Sequence, residues 1–330
     1  MVSDRTLGST GIRLGRIAFG AGPVSQLLVG QGRDVQRETI RRAVELGVDW
    51  FDTAATYGGG DSEANLGRIL DELDLQSKVR VATKVRILPD QLSDVAGAAR
   101  RSIEGSLERL RVSRVSLLQI HNSITHRAGD EPTSITPTHV LGPGGLLDEM
   151  RRMQSEGLVE NLGLTGLGEP SALREVIASG ALASIQIPYN LLNSSAGHEV
   201  PTGWSLADYG KVIADCQARE MGVFAIRVLA GGALAGRPPS PHTFKTPFFP
   251  LELYKQDVAR AEQLAKLLPP GMTREEAAVR FSLSHPAITS AIVGFATPEE
   301  VAQVVGFAYR GALDAELLER LTEFSLRSQS

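Results

Sequence analysis

A single cysteine, Cys216, stands among the 330 residues, so no internal disulfide can form. It lies in an amphipathic stretch, which fits a packing residue in a reducing compartment. Long apolar runs are also missing, because no stretch approaches the about 18 uninterrupted apolar residues of a membrane span. The opening MVSDRTLGSTG has no charged segment followed by an apolar core, so the expected location is the cytoplasm. Positive charge is not in surplus. The 34 Lys and Arg face 38 Asp and Glu, which leaves no basic surface for nucleic acid or an anionic membrane. Arg100-Arg101 and Arg151-Arg152 are the local basic pairs, and each lies in a helical pattern with acids nearby, as on a solvated helix face. The 42% hydrophobic and 22% charged residues match a globular chain with a large core. The expected partner is a small molecule, and the composition does not set an oligomeric state.

What the chain does have is alternation. Short runs rich in Val, Ile and Leu recur at 16–20, 48–52, 79–84, 115–121, 160–165, 183–187, 223–227 and 289–293. Helical periodicity fills the segments between them, at 35–46, 63–73, 92–110, 145–156, 171–179, 206–219, 274–284 and 298–306. Eight such units predict an α/β chain folded as a single closed (β/α)8 TIM barrel over 1–330, whose parallel strands read as continuous apolar runs because both faces are buried. RTLGSTGIRLGR reads as an N-terminal β-hairpin closing the barrel bottom, and 314–326 as an extra C-terminal helix. Three segments do not fit the repeat: 122–144, 190–205 and 228–250, each following a strand and rich in Gly, Pro, Ser, Thr or His. Loops in that position build the active face of a barrel, so they read as substrate-covering loops, with surface decoration as the alternative.

Four polar residues stand at the ends of early strands: Asp52 and Tyr57 in FDTAATYGGGD, Lys84 in VATKV and His121 in LLQIHN. Singly these read as a helix cap, a loop aromatic, a strand-end charge and a half-buried imidazole. Consecutive barrel strands end on one rim, however, so the topology brings all four together. A phenol with an ordinary pKa near 10 is a poor proton donor at neutral pH unless a nearby cation stabilises its anion. Lys84 can supply that cation, and Asp52 can hold Lys84 protonated. His121 can hydrogen-bond a carbonyl oxygen or join the proton relay, depending on its protonation.

This constellation, with the opening RTLGSTG and the closing TPEEVAQVV, resembles the aldo-keto reductase family over nearly the whole chain. The resemblance implies hydride transfer between nicotinamide and a carbonyl carbon without a metal. Tyr57 would be the general acid or base, assisted by Lys84 and Asp52, with His121 orienting the substrate carbonyl. IQIPYNLLN resembles the sixth-strand motif, which makes Gln186 a partner for the nicotinamide carboxamide, shared with Thr165. The usual Ser-Asn pair is replaced here by Thr165-Gly166, which removes one amide-bearing partner. IRVLAGGALAG resembles the loop that wraps the pyrophosphate, with Leu229, Gly231 and Leu234 at matching places. Arg227 falls where serine is more usual, so it would pair with diphosphate or with a neighbouring acid. In VGFATPEEVAQ, Gly294, Phe295, Ala296 and Thr297 are neutral, and Glu300 stands where an arginine often meets a 2′-phosphate. That departure implies NAD(P)H use leaning to NAD(H), or dual use, with Gln303 facing adenine.

The Thr-Gly variation and the NAD leaning are similar to sugar 1-dehydrogenase-like (L-galactose dehydrogenase-like) branches, which implies a carbonyl or sugar substrate. The competing reading is a cofactor-binding regulatory subunit with little turnover. A metal-dependent hydrolase is disfavoured, because His126, His139, His198 and His242 have neither metal-ligand spacing nor companion cysteines. AFGAGP lacks the spacing of a dinucleotide-binding fingerprint, so no Rossmann domain is indicated.

Overall fold

The computed structural model describes residues 4–327. β1 (Arg5–Thr6) and β2 (Arg13–Leu14) form the antiparallel N-terminal hairpin. The strands β3 (Ile17–Gly20), β4 (Trp50–Asp52), β5 (Arg80–Val85), β6 (Val115–Ile120), β7 (Val159–Thr165), β8 (Ser184–Pro188), β9 (Gly222–Ile226) and β10 (Ile288–Gly294) close into a barrel. Neighbouring strands are parallel throughout, and β10 pairs with both β3 and β9. This is a (β/α)8 TIM barrel with an N-terminal hairpin, as the alternation predicts.

The lower interior is an apolar plug. Ala18, Trp50, Ala82, Leu117, Phe224 and Ile292 point inward and pack with Leu7 and Leu14 from the hairpin. Side chains two residues apart on a strand share a face, so each plug residue fixes what stands above it. Asp52 follows Trp50, Lys84 follows Ala82, and Gln119 follows Leu117. Register then brings this polar layer together, since Lys84 pairs with Gln119 and Thr165 with Gln186.

The helices bury their apolar stripes against the outside of the strands, and the C-terminal helix Ala315–Ser325 adds Leu317, Leu321 and Phe324 to that shell. Several helices depart from the sequence reading, among them the short turns Leu27–Gly30 and Pro137–Leu141, the second inside the segment 122–144 read as a loop. The helix expected over 206–219 is only Val212–Ala218, because Gly210 and Lys211 adopt φ values of +62° and +57°, which no right-handed helix accommodates. The helix Leu251–Ala265 was not read from the sequence. Its buried face carries Asp257 and Arg260 beside Tyr254, Ala261 and Leu264, and those two charges blur the apolar periodicity.

Candidate active site

Lys84 is the centre of the rim's polar layer, 1% exposed on β5. Its ammonium donates to Asp52 Oδ2 at 2.5 Å, to the Thr53 carbonyl at 2.8 Å and to Tyr57 Oη at 3.2 Å, so all three of its protons have acceptors. Burial disfavours the ammonium, yet Asp52 and the Tyr57 oxygen outweigh it and raise the Lys84 pKa. Asp52 is itself saturated, since its Oδ1 accepts from Gln119 Nε2 at 3.1 Å and from Gln186 Nε2 at 2.5 Å.

The three glycines after Tyr57 make the turn that presents its phenol. Gly58, Gly59 and Gly60 have φ of +61°, +66° and +104°, and a Cβ on Gly58 would lie 2.7 Å from Val29 Cγ1. The His121 ring meets Tyr57 edge-on at 5.6 Å between centroids. Burial, then the charges of Arg86 and Lys84, push the His121 pKa well below its ordinary value. The imidazole is therefore neutral at physiological pH, which decides its protonation state and leaves it one N–H to donate.

A cavity of about 660 Å³ opens above this layer. Asp52, Tyr57 and His121 form its floor, with Lys84 just beneath and bonded to Tyr57. Thr165 and Gln186 line one wall, and Arg227, Leu229, Gly231 and Gly294 line another. Leu234 does not reach it, being buried in the core. Ala296, Glu300 and Gln303 also lie off the cavity wall, and exposed Gln303 donates to Glu275 at 3.3 Å.

Two charged residues differ from their simplest sequence reading. Arg227 is ion-paired with Asp257 at 2.9 Å and stacks on Phe249 at 4.1 Å, so the neighbouring acid left open by the sequence is present. Glu300 is not a bare carboxylate. Its Oε2 accepts the Ala296 N–H at 2.7 Å, and its Oε1 pairs with Arg237 at 3.0 Å.

Sequence reasoning missed Arg86, Arg237, His242, Lys245, Phe248 and Phe249, all on the cavity wall. Aromatics make up only 5% of the chain, so Phe248-Phe249 inside a Pro-flanked loop was the available signal. Thr165 Oγ1 is buried and has no hydrogen-bond partner among the described residues. An orphaned hydroxyl on a cavity wall awaits a ligand with a polar edge, and a carboxamide is such a group. At Gly231 (φ +70°) the nearest atoms to an added Cβ are 3.8 Å away, leaving bare backbone open to a bulky ligand. Together these features fit a nicotinamide nucleotide. Among the described residues, no group of His, Cys, Asp and Glu is placed to hold a metal ion, and no helix is long and apolar enough to cross a membrane.

Comparison with known proteins agrees with this geometry. A model of the aldo/keto reductase family matches residues 16–325. L-galactose dehydrogenase of Arabidopsis thaliana is 33% identical over 164 residues, which is 49% of this chain and 48% of that protein. The chain thus aligns with about half the length of that relative. An aldo-keto reductase of Bacillus subtilis is 26% identical over 322 residues, covering 92% of this chain and 88% of that one. Among solved structures, a holo-form aldo-keto reductase from Bacillus halodurans superposes with a TM-score of 0.74 at 18% identity, covering 99% and 98% of the two chains.

Proposed function

Since the chain belongs to the aldo/keto reductase family, oxidoreductases that use nicotinamide cofactors, we propose that it moves hydride between NAD(P)(H) and a carbonyl carbon, with Tyr57 as general acid and base. The single observation that carries this reading is the Asp52–Lys84–Tyr57 chain of hydrogen bonds at the cavity floor beside a neutral His121. Nicotinamide, when bound, supplies or accepts the hydride. In the reducing direction the carbonyl carbon gains the hydride and its oxygen takes the proton from Tyr57 Oη. The Lys84 ammonium, 3.2 Å away, stabilises the phenolate left behind, and Asp52 keeps that ammonium charged. His121 donates its N–H to the same carbonyl oxygen and orients it. In the oxidising direction each transfer is reversed, and Tyr57 takes the alcohol proton.

Thr165 and the free amide oxygen of Gln186 would receive the carboxamide, while Leu229 and Gly231 would follow the diphosphate. Arg227, fixed by Asp257, would place its remaining donors toward the diphosphate. The adenosine end favours NAD(H), with dual use, because Glu300 occupies Arg237 in an ion pair and so removes it as a ready 2′-phosphate partner. The substrate class is an aldehyde, ketone or aldose. The sugar reading draws support from the partial similarity to L-galactose dehydrogenase. The protein would act as one barrel domain in the cytoplasm. A regulatory, cofactor-holding role without turnover is not favoured, since it has no use for a complete proton-transfer chain.

The test is a fluorescence titration with NADH and NADPH, read through Trp50 and Trp204, followed by turnover of a panel of aldehydes and aldoses. Binding with turnover supports the reading. Binding with no turnover across the panel turns it toward the regulatory alternative, and no binding of either nucleotide overturns it.

A further inference from the structure

Three guanidinium groups line the cavity, those of Arg86, Arg227 and Arg237. Two of them carry their own counter-charge, because Arg227 pairs with Asp257 at 2.9 Å and Arg237 with Glu300 at 3.0 Å. Arg86 forms no ion pair among the described residues. Its Nε reaches only the His121 carbonyl, at 3.4 Å, and its face rests on the Phe248 ring at 5.0 Å. The sole carboxylate on the cavity wall is Asp52, which Lys84 already neutralises. Lys245 also lies on the wall without an ion pair among the described residues, but it is exposed, so Arg86 is the half-buried cation left uncompensated there, in a protein whose formal charge is −4.

This cation is not a loose surface side chain. Both neighbours of Arg86 are pinned: the His121 N–H donates to the Val85 carbonyl at 2.8 Å, and Asn122 holds Ile87 from both sides, at 2.9 Å to its N–H and 2.7 Å to its carbonyl. Burial pulls the Arg86 pKa down, against an opposing contribution from nearby Tyr57, so the group is partly desolvated and sits near the phenol. Leaving a cation in such a place without a partner is costly, and an anion arriving with the substrate offsets that cost. A guanidinium fork also matches a carboxylate in plane and in donor spacing better than an ammonium does.

We propose that Arg86 is the substrate-recognition cation of this site, and that the preferred substrate is a carbonyl compound bearing a carboxylate within a few bonds of the reacting carbon. Phe248, also on the cavity wall, packs on one face of the guanidinium and limits its movement. Lys245, from the same loop, extends the positive wall, while burial and then the charge of Arg86 lower the His242 pKa, so that imidazole adds no charge to it. The proposal rests on the oxidoreductase reading for its reaction but names a substrate feature that reading does not supply.

The experiment compares matched pairs, 4-oxobutanoate with butanal and 4-carboxybenzaldehyde with 4-methylbenzaldehyde, in wild type, Arg86→Gln and Arg86→Lys. Wild type should favour the acid of each pair in kcat/KM. Arg86→Gln should cut that preference roughly 10- to 100-fold, chiefly through the KM of the acid, as loss of a charged hydrogen-bonding partner does. Arg86→Lys should restore part of it. Calorimetric binding of benzoate, compared with benzyl alcohol, gives a readout that needs no turnover, and Arg86→Gln should abolish the benzoate advantage. Turnover of neutral aldehydes at the same kcat/KM as their acid partners, with a ratio unchanged in Arg86→Gln, would overturn the inference while leaving the oxidoreductase intact. Failure to turn over any aldehyde, with benzoate binding still lost in Arg86→Gln, would sink the reaction and keep the anion site.

Discussion

The floor and the roof of the cavity are built on opposite plans. The floor stands on strand ends, where Lys84, Gln119 and Gln186 all donate to Asp52 above an apolar plug. The roof is the segment 228–250, whose Phe248 and Phe249 rest on Arg86 and Arg227 and whose Arg237 reaches across to Glu300. A buried hydrogen-bonded network centred on one ion pair holds its geometry, as proton transfer requires. The roof instead rests on a few contacts between a loop and arginine side chains, some of them partly exposed, which suits a segment that must admit and release ligands. Rate should therefore live in the floor, and affinity and selectivity in the roof.

The largest break of that division is Tyr57→Phe. It removes the transferable proton and leaves the ring in place, so kcat should fall by at least about a hundredfold while nucleotide affinity changes little. Steady-state kinetics beside a fluorescence titration separates the two quantities. Retained turnover would take the proton-transfer role from Tyr57. The floor's pH response sharpens the same point. With His121 held neutral by burial, kcat should show no imidazole titration near pH 6.5.

How far each region could be read from the sequence follows the same division. Strand-end residues inherit their positions from alternation, so Asp52, Lys84, His121, Thr165 and Gln186 were legible once the eight apolar runs were placed. The roof has no periodicity to exploit. Arg86 lies two residues beyond Lys84, just past the strand end, and was not singled out, because nothing in sequence shows which arginines lack an acid. Asp257 stood in an unrecognised helix, and the acids opposite Arg227 and Arg237 come from 30 and 63 residues away, beyond the reach of local pattern.

A smaller effect should follow from freeing Arg237. Glu300→Gln keeps an acceptor for the Ala296 N–H but removes the charge that holds the guanidinium, so the NADPH to NADH affinity ratio should rise roughly tenfold, the scale of one charged hydrogen bond. Parallel titrations with the two nucleotides give this ratio directly. An unchanged ratio would remove the Arg237–Glu300 pair from cofactor choice and leave the roof only its covering role.

The smallest expected effect tests whether floor and roof titrate apart. Burial raises the Asp257 carboxyl to about 6, against the opposing pull of Arg227 and Arg260. Below that pH the carboxyl is neutral, Arg227 loses its charged partner, and the Arg227–Phe249 corner of the roof loosens. Nucleotide KM should thus rise a few-fold between pH 7 and pH 5, while kcat, set by the floor, stays level. The sign for folding is opposite. A raised native pKa means that the folded chain binds more protons than the unfolded one between about 4 and 6, so this carboxyl's contribution to stability falls as pH rises through that window. Asp257→Asn imitates the protonated form at every pH and should flatten both trends, giving the acid-side KM already at pH 7. If kcat and KM instead move together with pH in wild type and in Asp257→Asn alike, the two regions are mechanically one, and the separation of rate from affinity fails.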